Sequence, residues 1–153
     1  MKVGELMLRD LTSVEENDTI RTLVEALATS ETPSITVTDD NSCPVGIISE
    51  EDVLIAAMPR YMAMLQSASY VPNLEQLLAG LRRIAEEPVH KYMTRKVILV
   101  DVATEDLHAA DLMLRHKLRL LPVVAADGGL VGVVRRADLF KRILCKGKSE
   151  VGI

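Results

Sequence analysis

Two short stretches of this 153-residue chain hold side chains that could act on a ligand, and they have the same form. The first is Gly46-Ile47-Ile48-Ser49-Glu50-Glu51-Asp52. The second, 86 positions on, is Gly132-Val133-Val134-Arg135-Arg136-Ala137-Asp138. Each pair of β-branched residues followed by polar ones reads as a buried strand turning directly into a helix. At such a junction the first amides lack intrahelical partners and the helix dipole is positive, which suits a phosphate. Ser49 offers a hydroxyl to a ligand hydroxyl or phosphate oxygen. Asp52, one turn along, can accept from both hydroxyls of a ribose. Gly46 removes a side chain where a ligand or another strand approaches closely. The same Ser49 and Asp52 also satisfy a purely structural pattern, a capping box with Asp in place of the usual Glu.

The second copy departs from the first at one position. Arg135 replaces the serine and cannot accept a backbone hydrogen, while Asp138 is kept. Arg135 can fill the space or, with Arg136, offer a bidentate contact to a phosphate. His116, Lys117 and Arg119 could add positive charge, or form a solvated basic rim.

Little else in the chain suggests chemistry. His90, His108 and His116 are scattered, and Cys43 and Cys145 stand far apart, so no zinc spacing and no disulfide framework emerges. There is no nucleophile elbow, no phosphate-binding Gly-Lys-Ser/Thr loop and no Cys-x-x-Cys. The expectation is a protein that is not an enzyme. A net charge of −4 gives no footprint for nucleic acid. No apolar run reaches the roughly 18 residues of a membrane span, and the first residues lack a signal-peptide core. A reducing cytoplasm is the expected location.

The elements that must position these residues follow from patterning. Leu6 to Leu11 is a lead-in turn or helix, and Leu11 to Val14 a short strand. Asp18 is read as the cap of a helix carrying Ile20, Leu23, Val24 and Leu27. Ile35 to Thr38 and Val45 to Ile48 are strands, and Glu50 to Met58 is a helix. The order is β-α-β-β-α. After an insert, Val97 to Val100 is a strand. Thr104 is read as the cap of a helix whose inner face is Leu107, Ala110, Leu114 and Leu118. Leu121 to Val124 and Leu130 to Val134 are strands joined by the turn Asp127-Gly128-Gly129, and Arg136 to Leu144 is the closing helix. The two halves align at an offset of 86 at Met7/Met93, Gly46/Gly132 and Asp52/Asp138. They align at 87 at Ile20/Leu107, Leu27/Leu114 and Val37/Val124, which implies that the second copy has one extra residue before its first helix and one fewer in the hairpin turn. Such an internal repeat is an architectural signal. In the insert, Asn73 and Gln76 match a capping box, and Leu74, Leu77, Leu78, Leu81 and Ile84 make a stripe that packs on its own domain or forms a subunit contact. Tyr61, Met62, Leu65, Tyr70 and Val71 precede it. Lys141, Arg142, Lys146 and Lys148 make the end of the chain basic.

Gly46-x-x-Ser49-x-x-Asp52, Tyr92-Met93-Thr94, Leu120 to Val124 and Asp127-Gly128-Gly129, in this order and repeated, resemble a tandem pair of cystathionine-β-synthase-type (CBS) domains, a Bateman module. The resemblance implies an α/β fold of two pseudo-symmetric β-α-β-β-α repeats packed sheet to sheet. The repeats are 1–58 and 88–146, with a helical insert at 59–87 and a tail at 147–153. It implies a stand-alone, energy-sensing regulatory module that binds AMP, ADP, ATP or S-adenosylmethionine between the repeats and needs no fixed cofactor. It also implies a homodimer and an effector protein. On this resemblance Ser49 and Asp52 hold the ligand's hydroxyls, and Gly46 and apolar Ile35, Ile47 and Ile48 line an adenine slot. The backbone at Leu11 and Thr12 reads the base edge. Asp138, Arg135, Arg136, Pro122 and Val123 form the second site. The competing reading is a structural or dimerisation module whose clefts bind nothing.

Overall fold

The computed structural model describes residues 1–58 and 74–151, the side chains of 146–151 excepted. The expectations for Tyr61, Met62, Leu65, Tyr70, Val71, Asn73, Lys146 and Lys148 fall on residues or side chains outside those described. The elements, labelled in chain order, are α1 (Val3–Leu6), β1 (Ser13–Glu15), α2 (Ile20–Thr29), β2 (Ser34–Thr38), β3 (Pro44–Ser49), α3 (Glu50–Ala57), α4 (Leu74–Ile84), β4 (Val100–Asp101), α5 (Asp106–Arg115), β5 (Leu120–Val124), β6 (Leu130–Arg135) and α6 (Arg136–Val151). A single 3-10 turn, Val89–Lys91, lies between α4 and β4. The result is a mixed α/β chain with two three-stranded sheets, ordered β1-β2-β3 and β4-β5-β6. The first and second strands of each sheet run parallel, with Val14 opposite Val37 and Val100 opposite Val123.

Two compact units result, and neither follows the order of the sequence. One comprises residues 1–11, 41–44 and 98–153, and the other 12–40 and 45–97. Each sheet is therefore completed by the arm that leads into the other repeat. Val3 N–H donates to the Thr104 carbonyl at 2.8 Å, and Val89 N–H to the Asp18 carbonyl at 2.8 Å. Gly4 N–H reaches Val102, and His90 N–H reaches Glu16. Leu8 and Val133 exchange two backbone bonds, as do Thr94 and Ile47. Val3 and Val89, both fully buried, anchor the two arms.

All these equivalent pairs are separated by 86 residues, and so are the helices. The buried residues of α2 are Ile20, Leu23 and Leu27, and those of α5 are Asp106, Ala109 and Met113. This corrects the expected change of offset: Ile20 matches Asp106, not Leu107, and Val37 matches Val123. Nothing is gained before α5 or lost in the hairpin. The turn has Gly128 at φ +87°, and its counterpart Ser42 sits at +62°. Apolar character slips by one residue here because the second repeat buries the Asp106 carboxylate where the first buries Ile20. The inner face expected for α5 is corrected with it, since Leu107 and Leu114 point to solvent.

The caps also differ by one residue from expectation. Thr19, not Asp18, caps α2 by accepting from Thr22 N–H at 3.2 Å. Asp18 instead accepts from Glu15 N–H at 2.8 Å, closing the turn after β1. Glu105 precedes α5 without a side-chain cap, and the Thr104 hydroxyl takes the Asp101 N–H at 3.2 Å. In both halves the residue expected as the cap closes the strand-to-helix turn, and the next residue becomes the helix boundary. Part of the α4 stripe packs on its own unit: Ile84 is fully buried, and Leu77 and Leu81 lie against the core of Val14, Leu23, Ile48 and Ala57, while Leu74 and Leu78 are exposed.

Candidate functional site

The chain enters α3 from β3 because Ile48 is drawn into the core while Ser49 and Asp52 cap the helix. Asp52 N–H donates to Ser49 Oγ at 3.1 Å, and Ser49 N–H donates to Asp52 Oδ2 at 2.8 Å. The capping box is therefore complete. Glu50 N–H is taken by the Pro33 carbonyl at 3.0 Å. Three of the amides expected to meet a phosphate are thus already satisfied, and Glu50, Glu51 and Asp52 put three carboxylates in the first turn. The three carboxylates thus offset the positive helix dipole on which the expected phosphate cradle relies. What the cap leaves is chemically specific. Asp52 Oδ1 has no hydrogen bond among the described residues, and the Ser49 hydroxyl accepts but has its own proton to give. Both residues are half-buried. A neutral diol fits this pair better than a phosphate does.

Gly46 has a different partner from the one a ligand site would require. A Cβ there would lie 2.5 Å from Met93 Sδ and 3.1 Å from the Thr94 carbonyl oxygen. The exchanged arm, bridged to Ile47, therefore passes where the side chain is missing. At Gly132 a Cβ would lie 2.6 Å from the Leu8 carbonyl oxygen and 2.9 Å from Met7 Sδ. The repeated Met and Gly of the sequence are thus packing partners, each Met lying on the Gly of its own compact unit.

The apolar residues expected to form an adenine slot divide. Ile35 and Ile48 are closed into the core, and of the three only Ile47 reaches the surface. Thr12 is half-buried just before β1, and Leu11 is exposed at the end of the other unit's segment. Among the described residues the buried Thr36 hydroxyl on β2 has no hydrogen-bond partner, a feature that sequence patterning could not flag. A cavity of about 750 Å³ in this unit lies elsewhere, between α3 and α4, lined by Ile55, Ala57, Gln76, Arg83 and Tyr92 among others. It holds none of the candidate ligand-binding residues.

The equivalent junction in the other unit is closed. Arg135 folds back onto Asp138, with Nη2 to Oδ1 at 2.8 Å, Nε to Oδ2 at 3.1 Å and its own N–H to Oδ2 at 3.0 Å. Both carboxylate oxygens are engaged. Burial alone would raise the Asp138 carboxyl. The hydrogen bonds from the Arg135 side chain and backbone, then the charges of Arg135 and Lys141, outweigh it and hold its pKa below the ordinary value. Arg136 turns away, its Nε donating to the Leu118 carbonyl at 2.6 Å. Pro122 and Val123 are buried in β5. The two cations expected to receive a phosphate are thus both bonded to acceptors of the chain itself.

Comparison with known proteins agrees with this architecture. A family model for the CBS domain matches residues 3–58 and again 89–145. An uncharacterized protein of Methanocaldococcus jannaschii is 28% identical over 158 residues, spanning 94% of this chain and 92% of its own. The chloroplastic CBS domain-containing protein CBSX2 of Arabidopsis thaliana is 28% identical over 152 residues, covering 93% of this chain and 63% of that protein. The crystal structure of that CBS-pair protein superposes with a TM-score of 0.77 at 26% identity, over 96% of each chain. A structure of CBSX2 in complex with AMP superposes at 0.72 and 26% identity, over 95% of this chain and 98% of that one.

Proposed function

We propose, from the premise that this chain belongs to the CBS domain family in both of its halves, that it is a regulatory module sensing one adenosine-containing ligand per chain. The ligand is held at the Ser49/Asp52 junction, and the Arg135/Asp138 junction stays closed. The observation that carries this reading is the difference between the two carboxylates. Asp52 keeps one oxygen open to a ribose diol, whereas Asp138 gives both to Arg135. Among AMP, ADP, ATP and S-adenosylmethionine, the three carboxylates at the start of α3 favour a ligand with little negative charge. AMP and S-adenosylmethionine should therefore bind more tightly than ATP. The AMP held by CBSX2 supports the adenosine class. Binding regulates if the ligand's affinity differs between two arrangements of the chain, which an effector protein then reads. The working form is a homodimer, and the two isolated cysteines fit the reducing cytoplasm.

A second reading has its own observation. The capping box at Ser49 is satisfied without any ligand, as a purely structural module requires. Melting the protein with each of the four ligands separates the two. A ligand that binds only the folded state raises the melting temperature, by an amount that grows with the logarithm of its concentration. A rise with AMP or S-adenosylmethionine supports sensing; no rise with any of the four supports the structural module.

A further inference from the structure

Thr36 on β2 is 1% exposed, and among the described residues its hydroxyl has no hydrogen-bond partner. An unpaired buried hydroxyl destabilises a fold, so its place here asks for a partner that the fold does not supply. Alternation fixes its direction. Ile35, Val37 and Ile48 belong to the core, so Thr36 on β2 and Ile47 and Ser49 on β3 share the opposite, outer face of the sheet. In the second repeat Leu120 pairs with Arg135, and Pro122 with Val133. At the offset of 86 the equivalent partners are Ser34 with Ser49, and Thr36 with Ile47. Thr36 thus lies beside Ile47, and Ile47 is two residues, about 6–7 Å, from Ser49 along the strand.

The second repeat shows what the fold itself requires at these positions. Its sheet carries Leu120, Pro122 and Val133 on the outer face, where the first carries Ser34, Thr36 and Ile47. Leu121 and Val123 enter the core as Ile35 and Val37 do, so the same sheet forms over an apolar outer face. Proline at the place of Thr36 has no hydroxyl, and the strands pair there all the same. The hydroxyl at position 36 is therefore not a condition of folding. The difference goes with a second one. The sheet that carries Thr36 leads into the junction whose carboxylate keeps an open oxygen, and the apolar sheet leads into the junction that Arg135 closes. An unpaired buried hydroxyl and an open carboxylate oxygen occur together, in one unit and not in the other.

We infer that Thr36 is a specificity residue of the Ser49/Asp52 site, its hydroxyl hydrogen-bonding the base of the bound ligand. This rests on the sensing reading above and adds that the base is read as well as the ribose. With the ribose diol on Ser49 and Asp52, a base lying along β3 passes over Ile47, whose apolar side chain reaches the surface. Its edge then meets Thr36. A hydroxyl both gives and accepts a hydrogen bond, so a ring nitrogen or the exocyclic amine of adenine satisfies it. The ligand thereby supplies the bond that the fold lacks. A ligand without a polar base edge leaves the buried hydroxyl unpaired and is rejected for that reason. AMP and S-adenosylmethionine carry the same base, so Thr36 acts on both alike, whereas the carboxylates of α3 separate them by charge.

Isothermal titration of the full chain with AMP and with S-adenosylmethionine tests this on the wild type, Thr36→Val and Thr36→Ser. Valine keeps the branched shape and removes the hydroxyl; serine keeps the hydroxyl. Thr36→Val should bind both ligands about 10-fold more weakly, by the same factor for each, and Thr36→Ser should restore most of the loss. Urea unfolding without ligand supplies the readout that separates this from a structural role. Thr36→Val should be at least as stable as the wild type, because no hydrogen bond of the fold is removed. A Thr36→Val protein that binds both ligands as the wild type does would overturn this inference and leave the sensing site standing. So would a clearly lowered urea midpoint with unchanged affinity, the mark of a hydroxyl bonded within the fold. A wild type that binds neither ligand would overturn the sensing reading and this inference together.

Discussion

Replacing Arg135 by serine should open the closed junction and convert a one-ligand chain into a two-ligand chain. The guanidinium makes two contacts to Asp138, at 2.8 and 3.1 Å, and the pair is partly exposed, 32% and 17% for the two side chains. An ion pair in that setting contributes up to about 1 kcal/mol, because solvent screens it and both side chains must be ordered. A serine hydroxyl in its place can accept the Asp138 N–H, as Ser49 accepts from Asp52 at 3.1 Å, and such a cap contributes about 1 kcal/mol. The two effects offset each other. The melting temperature should therefore move by no more than about 2–4 °C. The chemical consequence is larger than the thermal one. Asp138 keeps one oxygen on the residue-135 N–H and regains the other for a ligand. Isothermal titration with AMP should give one molecule per chain for the wild type and two for Arg135→Ser, the added site lacking the acidic pair Glu50 and Glu51. Two molecules bound by the wild type, or one bound by a well-folded Arg135→Ser protein, would refute the view that Arg135 is what closes this junction.

Further outcomes follow from the same contacts. Asp52→Ala should remove ligand binding and, through the lost half of the capping box, cost about 1 kcal/mol, seen as a lower urea midpoint at unchanged slope. Gly132→Ala should destabilise by about 2–3 kcal/mol because its Cβ meets the backbone oxygen of Leu8. Gly46→Ala should cost less, since its nearest neighbour is the flexible end of Met93, and Met93→Ala should relieve it in a double-mutant cycle. The depressed Asp138 carboxyl stabilises the fold above its unfolded-state pKa, and that stability is lost as pH falls through the lower folded-state value. The melting-temperature gap between the wild type and Arg135→Ala should thus be full at pH 7 and narrow below about pH 4. A gap that stays constant down to pH 2.5 would contradict the pairing.

How far the residues reveal the protein varies from place to place. The strands at Ile35 and Val45, the turn at Gly128 and the helix at Glu50 are legible because alternation, glycine and β-branching act locally. The repeat is legible too, but its register is not. Asp106 occupies the buried place of Ile20, so a match by apolar character slides one residue to Leu107. The same slip turns the outward stripe of Leu107 and Leu114 into an apparent inner face, since periodicity shows that a stripe exists but not what it faces. The exchange of the two arms is a tertiary event. Met7 with Gly132 and Met93 with Gly46 can be seen in the sequence as equivalents, but not as contacts. At the junctions the choice between cap and ligand site is undecidable from residue types, because Ser49 and Asp52 serve both. The fate of Arg135 depends on a rotamer that turns it toward Asp138 rather than into solvent.

Native mass spectrometry of the purified wild-type chain, incubated with AMP or S-adenosylmethionine, tests the central claim most directly. The account predicts one ligand mass per chain for the wild type, with the adduct lost in a folded Asp52→Ala variant and kept in Asp138→Asn. An adduct that survives in Asp52→Ala but disappears in Asp138→Asn would place the ligand at the other junction and contradict the account.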